Sequence, residues 1–245
     1  MTEPVGVDDL AEALDLGPHE LVALVGGGGK STSLLALGQQ LTGRVLLTTT
    51  TKMGSAQTTE LPTLTGPTDA TVAESLTEAS VTFVRGAHEG DKSVGVSTEQ
   101  CDRWFDLADH IVVEADGARR RPYTAPRRFE PLVPSRTTTL VACIGSDALG
   151  RVIADQCHTP LRVAAVAGCS PYQRLTPARA ARVLLDERGS RKSCPTAARF
   201  VVMVTKVDAA ARPFCDELAE IVEPHVPVVF VAFDDRLVSE HAARR

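Results

Sequence analysis

Short apolar runs alternate along the chain with segments of helical periodicity. The apolar runs predict buried strands at 21–25, 44–48, 81–84, 110–113, 200–204 and 228–231, and two further apolar runs span 138–144 and 162–166. Helical spacing predicts helices at 8–16, 31–41, 98–108, 176–187 and 214–222. Strands that alternate with helices are typical of a largely parallel sheet. The pattern therefore predicts an α/β fold with a doubly wound, mostly parallel sheet.

No internal repeat or clear linker divides this pattern. We expect a single domain over residues 1–245, and only a weak break at 189–195 sets off a final strand–helix–strand unit. Residues 117–136 are rich in arginine and proline and predict a long irregular loop. A loop of that length inside a compact domain is usually functional or mobile.

Composition narrows the class of protein. The 245 residues carry a formal net charge of −5, whereas general nucleic-acid binders are usually basic. The six cysteines form no C-x-x-C pair, and we expect reduced, mostly buried thiols. The chain shows no basic-then-apolar leader and no apolar stretch of membrane-spanning length. We therefore expect a cytoplasmic protein that has neither a nucleic-acid partner nor a membrane partner.

The strongest chemical motif is a run of four glycines, Gly26–Gly29, which we call the glycine loop. It follows a predicted strand, and Lys30-Ser31-Thr32 opens the next predicted helix. Glycines let backbone N–H groups approach phosphate oxygens, and a helix N-terminus adds a positive dipole end. We expect a nucleotide, ATP or GTP, to be bound by Gly26, Gly27, Gly28, Gly29, Lys30, Ser31 and Thr32. Lys30 would neutralise phosphate charge, and the Ser31 hydroxyl would bind Mg²⁺.

The spacing of this motif is the short G-x-x-G-K-S. Leu24 stands where the longer G-x-x-x-x-G-K-[ST] motif has a glycine. The short form also occurs in the amide ligases that build the bacterial cell wall. The alternative interpretation is a glycine turn followed by an exposed lysine. Because strand, glycines, Lys-Ser and helix occur together, we favour a P-loop-like three-layer sandwich.

Two carboxylates follow the apolar run at 110–113. Glu114 ends the predicted strand and Asp116 comes two residues later, so both side chains would point to the same side. P-loop proteins place an acid at this position to hold Mg²⁺. We expect Glu114 and Asp116 to be metal ligands with Ser31, and to be catalytic together with Lys30. The alternative is an ordinary acidic turn.

Two further segments are candidates for nucleotide contacts. Thr205-Lys206-Val-Asp208 follows a predicted strand and resembles the N-K-x-D of GTPases, in which the aspartate accepts hydrogen bonds from guanine. We expect Lys206 and Asp208 to contact the base, with guanine favoured, and the alternative is an ordinary strand-to-helix turn. In the run Thr48–Thr51, the hydroxyls of Thr50 and Thr51 are candidates for Mg²⁺ or γ-phosphate contacts. Simple β-propensity is the alternative for this run.

The arginines after the acidic turn suit an anionic partner. They are Arg119, Arg120, Arg121, Arg127 and Arg128. Guanidinium groups bind phosphate or carboxylate in a forked geometry, so these residues could clamp an anionic small-molecule substrate. A solvated basic loop is the alternative.

Several motifs together resemble one family. They are Val25–Ser31, Thr48–Met53, Glu114–Gly117, Ala125-Pro126, Glu130-Pro131, Pro134, Gly145–Gly150, His158 and Thr205–Asp208. In this order, over roughly residues 15–233, they are similar to the selenium-dependent molybdenum hydroxylase accessory proteins of the YqeC type. The resemblance implies a role in maturation of a molybdenum hydroxylase, in selenium or molybdenum cofactor handling. It also implies, as a partner, the hydroxylase or its maturation factors, and it carries over Lys30, Ser31, Glu114, Asp116 and the threonine run as functional residues.

Three functions remain open from the sequence. The first is Mg²⁺-dependent binding and hydrolysis of a nucleoside triphosphate in the service of that maturation. The second is an ATP-dependent small-molecule kinase or ligase, favoured by the short glycine loop beside the arginines. The third is a non-enzymatic scaffold in which nucleotide binding orders residues 117–136 for a partner.

Overall fold

The computed structural model describes residues 3–54, 61–89 and 92–233. The strands are β1 (Val5–Gly6), β2 (Glu20–Gly26), β3 (Val45–Thr49), β4 (Met53–Gly54), β5 (Thr63–Thr65), β6 (Val81–Arg85), β7 (His88–Glu89), β8 (Lys92–Ser93), β9 (His110–Glu114), β10 (Thr139–Gly145), β11 (Arg199–Thr205) and β12 (Val228–Ala232). The helices are α1 (Leu10–Ala13), α2 (Lys30–Gln40), α3 (Asp69–Glu78), α4 (Thr98–Trp104), α5 (Ile153–Gln156), α6 (Pro160–Ala167), α7 (Pro177–Leu185) and α8 (Arg212–Val222).

Nine of the strands form one sheet in the order β1-β12-β11-β10-β2-β9-β3-β6-β5. Every neighbouring pair in it is parallel. Strands β4, β8 and β7 form a small antiparallel sheet. The predicted doubly wound α/β fold is confirmed, with β2 at the centre of the sheet between β10 and β9. The carboxyl ends of these three strands therefore lie side by side.

Both faces of the large sheet are covered by helices. Along β2, Leu21, Ala23 and Val25 face one core, and Val22 and Leu24 face the other. The first core also takes in the buried side chains of α3 to α8, whereas the second takes in those of α1 and α2. Strands buried on both faces need continuous apolar sequence, which is why the central strands lack polar alternation.

The predicted elements agree with the structure at the centre of the fold and differ at its margins. The run 162–166 lies in α6 and not in a strand. The first helix is confined to Leu10–Ala13, since Asp15 adopts a φ of 50° that ends it. Helix α4 stops at Trp104, six residues before β9 begins at His110, because the chain needs a turn there to enter the sheet. Helix α3 and the short strands at the sheet margins were not predicted.

The predicted loop 117–136 falls between β9 and β10 and contains no strand or helix. It leaves the sheet beside the end of β2, which places it against the glycine loop. The prediction of a single domain over residues 1–245 stays a prediction.

Candidate functional site

The glycine loop connects β2 to α2 at the carboxyl edge of the sheet. Gly29 has a φ of 119° and is the N-cap of α2, and no side chain caps this end of the helix. The first N–H groups of an α-helix have no acceptor inside it. The amino end of α2 therefore presents free donors and a positive dipole end from Lys30, Ser31 and Thr32, as anion binding requires.

The earlier part of the glycine loop is held by the protein itself. The Gly26 N–H donates to Asp116 Oδ2 at 2.8 Å. The Gly27 N–H donates to the Cys143 carbonyl at 3.0 Å and the Gly28 N–H to the Arg121 carbonyl at 3.2 Å. In this conformation Gly26, Gly27 and Gly28 thus shape the site, and the donors left for a ligand lie at the start of α2.

Close packing explains why the loop is made of glycine. Gly28 has a φ of +82°, and a Cβ there would lie 2.2 Å from the Gly145 nitrogen. A Cβ on Gly27 would lie 2.6 Å from the Arg121 carbonyl oxygen. The loop is therefore clasped between the end of β10 and the segment that follows the acidic turn, with no room for a side chain.

Lys30 is buried between both predicted carboxylates. Its Nζ lies 3.1 Å from Asp116 Oδ1 and 3.7 Å from Glu114 Oε1, and it donates to the Gly26 carbonyl at 2.5 Å. Lys30 and Asp116 are only 4% and 2% exposed. Burial by itself would lower the pKa of Lys30, but the negative charges of Asp116 and Glu114 outweigh it and raise that pKa above its usual range. The two carboxylates therefore favour the charged form of Lys30 at the glycine loop.

Ser31 completes the cluster. Its hydroxyl donates to Glu114 Oε2 at 2.8 Å, so a hydroxyl and a carboxylate oxygen converge beside the free end of α2. Mg²⁺ is usually held in phosphate sites by one or two protein oxygens, with phosphate and water filling the other positions. This donor set fits Mg²⁺ bound together with a nucleotide.

The threonine run lies next to Glu114, because β3 pairs with β9. The Thr49 hydroxyl and the Thr50 N–H both reach the Glu114 carbonyl at 3.1 Å. The Thr50 hydroxyl is buried and donates to the Leu132 carbonyl at 2.8 Å, so it has a structural role in this conformation. Thr51 is half-buried, with its hydroxyl 3.3 Å from that of Thr49, and is the better placed of the two predicted residues for ligand contact.

The predicted base-recognition segment follows β11, on the other side of β10 from β2. The buried Thr205 hydroxyl contacts the Gly28 carbonyl and thereby ties this segment to the glycine loop. Lys206 is exposed and pairs with Asp147 at 2.8 Å. Asp208 is exposed, and its carboxylate accepts the Ala211 N–H at 2.7 Å in the turn before α8. The segment is therefore adjacent to the glycine loop, and its two charged side chains have local partners.

The arginine-rich loop is well packed. Residues 122–126 are buried, although arginines flank them on both sides. Lys192 Nζ donates to the carbonyls of Arg127, Arg128 and Glu130 at 2.7, 2.8 and 2.5 Å. The middle of this segment is therefore a fixed wall of the site. The five predicted arginines on either side of it are exposed, so the alternative of a solvated basic loop stays open for them.

His158 lies beside this wall. Its N–H donates to the Tyr123 carbonyl at 2.9 Å, and its Nε2 is 3.2 Å from Arg127 Nη2. Burial lowers the pKa of His158, and the charges of Arg127 and Arg119 lower it further. Lys30 and Asp116 are also within electrostatic range of the ring. The structure thus brings His158, Arg127 and Arg119 into electrostatic range of one another and of the charge cluster, by which we mean Lys30, Asp116 and Glu114.

Sequence reasoning missed three residues that position the glycine loop. The main chains of Pro122 and Tyr123 pack against the loop. The Phe233 ring packs on Gly29, and a Cβ on Gly29 would lie 2.5 Å from a carbon of that ring. The uncharged stretch between the two arginine groups was a usable indication of burial. Nothing in the local sequence connects Phe233 with Gly29, because the two are distant along the chain.

Among the described residues, no helix has both the length and the apolar character needed to cross a lipid bilayer.

Comparison with known proteins agrees with this arrangement of motifs. The family model described as "YqeC protein" matches residues 22–161, which include the glycine loop, the threonine run, the acidic turn and His158. The chain is 28% identical over 211 residues to "Uncharacterized protein YqeC" of Escherichia coli (strain K12), with 82% of each chain covered. More than half of the chain is matched by the family model, and the chain therefore belongs to the YqeC family.

Proposed function

We propose that this protein binds a nucleoside triphosphate with Mg²⁺ at the glycine loop and hydrolyses it. The observation that carries the proposal is the buried cluster in which Lys30 lies between Asp116 and Glu114, with the Ser31 hydroxyl on Glu114. The cluster stands at the free amino end of α2, where phosphate oxygens would find N–H donors. The parallel α/β fold, with this site at the carboxyl ends of its strands, supports the same proposal.

Each residue of the cluster has a distinct task in this proposal. Lys30 Nζ, held 2.5 Å from the Gly26 carbonyl, would place its charge against the transferring phosphate. Asp116 fixes Lys30 and the Gly26 N–H, so it orients the loop. Ser31 and Glu114, with Asp116 nearby, would hold Mg²⁺, which when bound would neutralise phosphate charge. Glu114 or Asp116 would orient the attacking water and accept its proton.

The identity of the base is part of the proposal. Asp208 and Lys206 would contact the base of GTP, because Thr205 holds their segment against the Gly28 carbonyl. ATP is the alternative, and in that case Asp208 acts only in the turn before α8. In either case the nucleotide would run from the end of β2 towards the end of β11.

The pathway rests on the family resemblance. We propose that nucleotide turnover serves the maturation of a molybdenum hydroxylase in the cytoplasm, through contact with the hydroxylase or its maturation factors. A strain that lacks this protein should yield hydroxylase deficient in its cofactor. Wild-type protein should restore the molybdenum or selenium content of the purified hydroxylase, whereas a Lys30→Ala variant should not. Equal restoration by both would contradict the link between nucleotide and maturation.

The direct test is calorimetry with ATP, GTP and CTP, each with and without Mg²⁺. Ser31→Ala should weaken Mg²⁺-dependent binding by about tenfold or more, because it removes an oxygen ligand. Ser33→Ala is the matched control, since the Ser33 hydroxyl is buried two positions along the same helix and has no hydrogen-bond partner among the described residues. Equal affinities for the two variants, or no binding of any nucleotide to the wild type, would refute the proposed site.

A kinase or ligase is the second candidate, and a specific observation favours it. Arg127 and His158 meet beside the charge cluster, where an anionic acceptor could lie. Such an enzyme should hydrolyse ATP slowly alone and faster with its acceptor. Rapid turnover without any acceptor would count against it.

The scaffold hypothesis has its own observation, the hydrogen bond from the Gly28 N–H to the Arg121 carbonyl. Through this bond a nucleotide at the glycine loop could alter residues 117–136. Nucleotide-dependent protection of this loop from proteolysis, without turnover, would support a scaffold. Protection that ignores nucleotide would exclude it.

A further inference from the structure

We propose that Arg127 and His158 form a binding site for the oxyanion group of a second, small-molecule substrate, beside the glycine loop. The proposal deepens the proposed function, because the site is a second one only if the glycine loop binds a nucleotide. The ligand chemistry is a phosphate ester or a carboxylate.

The two central side chains are already in contact. Arg127 Nη2 and His158 Nε2 are 3.2 Å apart, which places a guanidinium edge and an imidazole edge side by side. His158 also donates its main-chain N–H to Tyr123, whose own N–H would lie 2.8 Å from a Cβ on Gly27. The pair is therefore built on the segment that backs the glycine loop.

The loop that carries Arg127 is basic, although the whole chain has a negative net charge. Residues 117–136 contain six arginines and one acid, Glu130, against a net charge of −5 for the whole chain. Arg119 and Arg120 adopt left-handed φ values of 48° and 60°, which non-glycine residues rarely do. Neither guanidinium forms a hydrogen bond or an ion pair that is recorded within the described ranges. Such a backbone conformation is usually kept at ligand sites, where it serves positioning.

The platform under these side chains is rigid. Lys192 holds three carbonyls of the loop, Arg162 Nε donates to the Pro126 carbonyl at 2.5 Å, and the Thr159 hydroxyl accepts the Ala125 N–H at 3.1 Å. A rigid platform keeps Arg127 and His158 in a fixed position relative to the charge cluster. Preorganisation of this kind lowers the entropy cost of binding a small anion.

The chemistry favours an oxyanion over other ligands. A guanidinium presents two parallel N–H donors, which match two oxygens of a phosphate or a carboxylate. Because the His158 Nε2 accepts from Arg127, the third donor would be the His158 Nδ1–H. Because His158 is hydrogen-bonded to Tyr123, which packs on Gly27, an anion bound here would lie near the phosphate that would be transferred or split off. The second substrate is therefore a small molecule that carries a phosphate or carboxylate group.

The test uses the full-length protein, once without nucleotide and once saturated with Mg²⁺ and a non-hydrolysable analogue of GTP or of ATP, whichever binds more tightly in calorimetry. Inorganic phosphate and succinate are the two probes, and they distinguish a phosphate group from a carboxylate. Binding is followed through the imidazole NMR resonances of His158, assigned with a His158→Gln variant, and the affinity is taken from the titration. We expect at least one probe to bind and to shift the His158 resonance.

Arg127→Ala should weaken probe binding by about 10- to 100-fold, and Arg127→Lys, which keeps the charge but loses the fork, should weaken it as well. Arg128→Ala is the matched control, because it removes the same charge from the same loop at a residue that contacts Phe129 instead of His158. Nucleotide affinity should stay within about twofold for all three variants. Thermal unfolding would show that each of them is folded.

Each outcome decides the matter. Failure of both probes to shift His158 would overturn the site. Equal weakening by Arg127→Ala and Arg128→Ala would show a diffuse charge effect and would also overturn it. If the wild type binds a probe with the expected Arg127 dependence but binds no nucleotide, the proposed function fails and the oxyanion site stands.

Discussion

Two lysine–aspartate pairs lie near the carboxyl edge of the sheet, with similar geometry and different surroundings. Lys30 and Asp116 are 3.1 Å apart, and both side chains are 3% exposed. Lys206 and Asp147 are 2.8 Å apart, and their side chains are 41% and 49% exposed. The shorter pair is the one in water. The distance between the charged groups therefore does not tell which pair contributes more to stability.

Burial decides what each pair can do. Water and salt screen the exposed pair, so it contributes little to stability. The buried pair has lost its hydration, and removal of either partner would leave an uncompensated charge. Lys30 consequently depends on Asp116 and Glu114 together, and Lys206 can lose Asp147 at little cost. We expect the residues around Lys30 and Asp116 to tolerate few substitutions, and those around Lys206 and Asp147 to tolerate many.

The largest expected effect is at Gly28, where the two regions touch. An alanine there would combine a φ of +82° with a Cβ 2.2 Å from the Gly145 nitrogen. We expect Gly28→Ala to lower the free energy of unfolding by about 3–5 kcal/mol, from backbone strain plus overpacking. Urea unfolding followed by circular dichroism would measure it.

The control for Gly28 is Gly66, which has a φ of +58° and no atom within 4 Å of an added Cβ. Gly66→Ala should cost about 1–2 kcal/mol, from the left-handed backbone alone. A similar cost at both positions would mean that the contact with Gly145 relaxes easily, and that the two regions are less firmly joined than described.

The matched aspartate substitutions test the comparison itself. Asp116→Asn should lower the free energy of unfolding by about 3 kcal/mol, towards the lower end for a broken buried pair because Glu114 remains. Asp147→Asn should cost less than about 1 kcal/mol, and less still in high salt. Urea unfolding at two salt concentrations measures both. Equal costs would show that burial does not separate the two pairs.

A smaller effect is expected at His110, which is also buried and whose Nδ1 has no hydrogen-bond partner in the part of the chain that the structure describes. Burial lowers the pKa of His110 in spite of Asp109 and Glu20, whereas at Lys30 the carboxylates prevail over burial. Because the folded pKa lies below the unfolded one, the unfolded chain binds more protons between them. The free energy of unfolding should therefore fall as pH drops below about 6.5, by at most about 1.4 kcal/mol per pH unit for this group.

His110→Gln should flatten this dependence in urea unfolding measured from pH 7 to pH 5. His225→Gln, at an exposed position, should leave the slope unchanged. The same slope in the His110 variant and the wild type would show that another group carries the dependence.

Sequence alone predicted the centre of this molecule well. Strand β2, the glycine loop, α2 and the turn after β9 follow from local rules, since apolar runs, glycines and helical spacing act over a few residues. Strand alternation predicted that Glu114 and Asp116 point to the same side, whereas their ion pairs with Lys30 were not predicted.

The parts that escaped prediction depend on contacts between distant segments. The tie from Thr205 to Gly28 joins residues 177 positions apart. Lys192 holds a loop more than sixty positions earlier in the chain. Residues 122–126 are buried although exposed arginines stand on both sides of them. The polarity of the local sequence therefore favoured a solvated loop. No local pattern encodes such pairings, which arise from the order of the strands.

The position of β12 in the sheet has a consequence for biosynthesis. Strand β12 lies between β11 and β1, so β1 has no neighbour in the sheet until the chain has grown by roughly 220 residues. At ordinary ribosomal speeds of about 5–20 residues per second, this leaves β1 unpaired for roughly 10–45 s. Phe233, which packs on Gly29, emerges directly after β12. A nascent chain therefore carries an unfinished glycine loop for most of its synthesis, and this interval is one in which a chaperone would find the loop open.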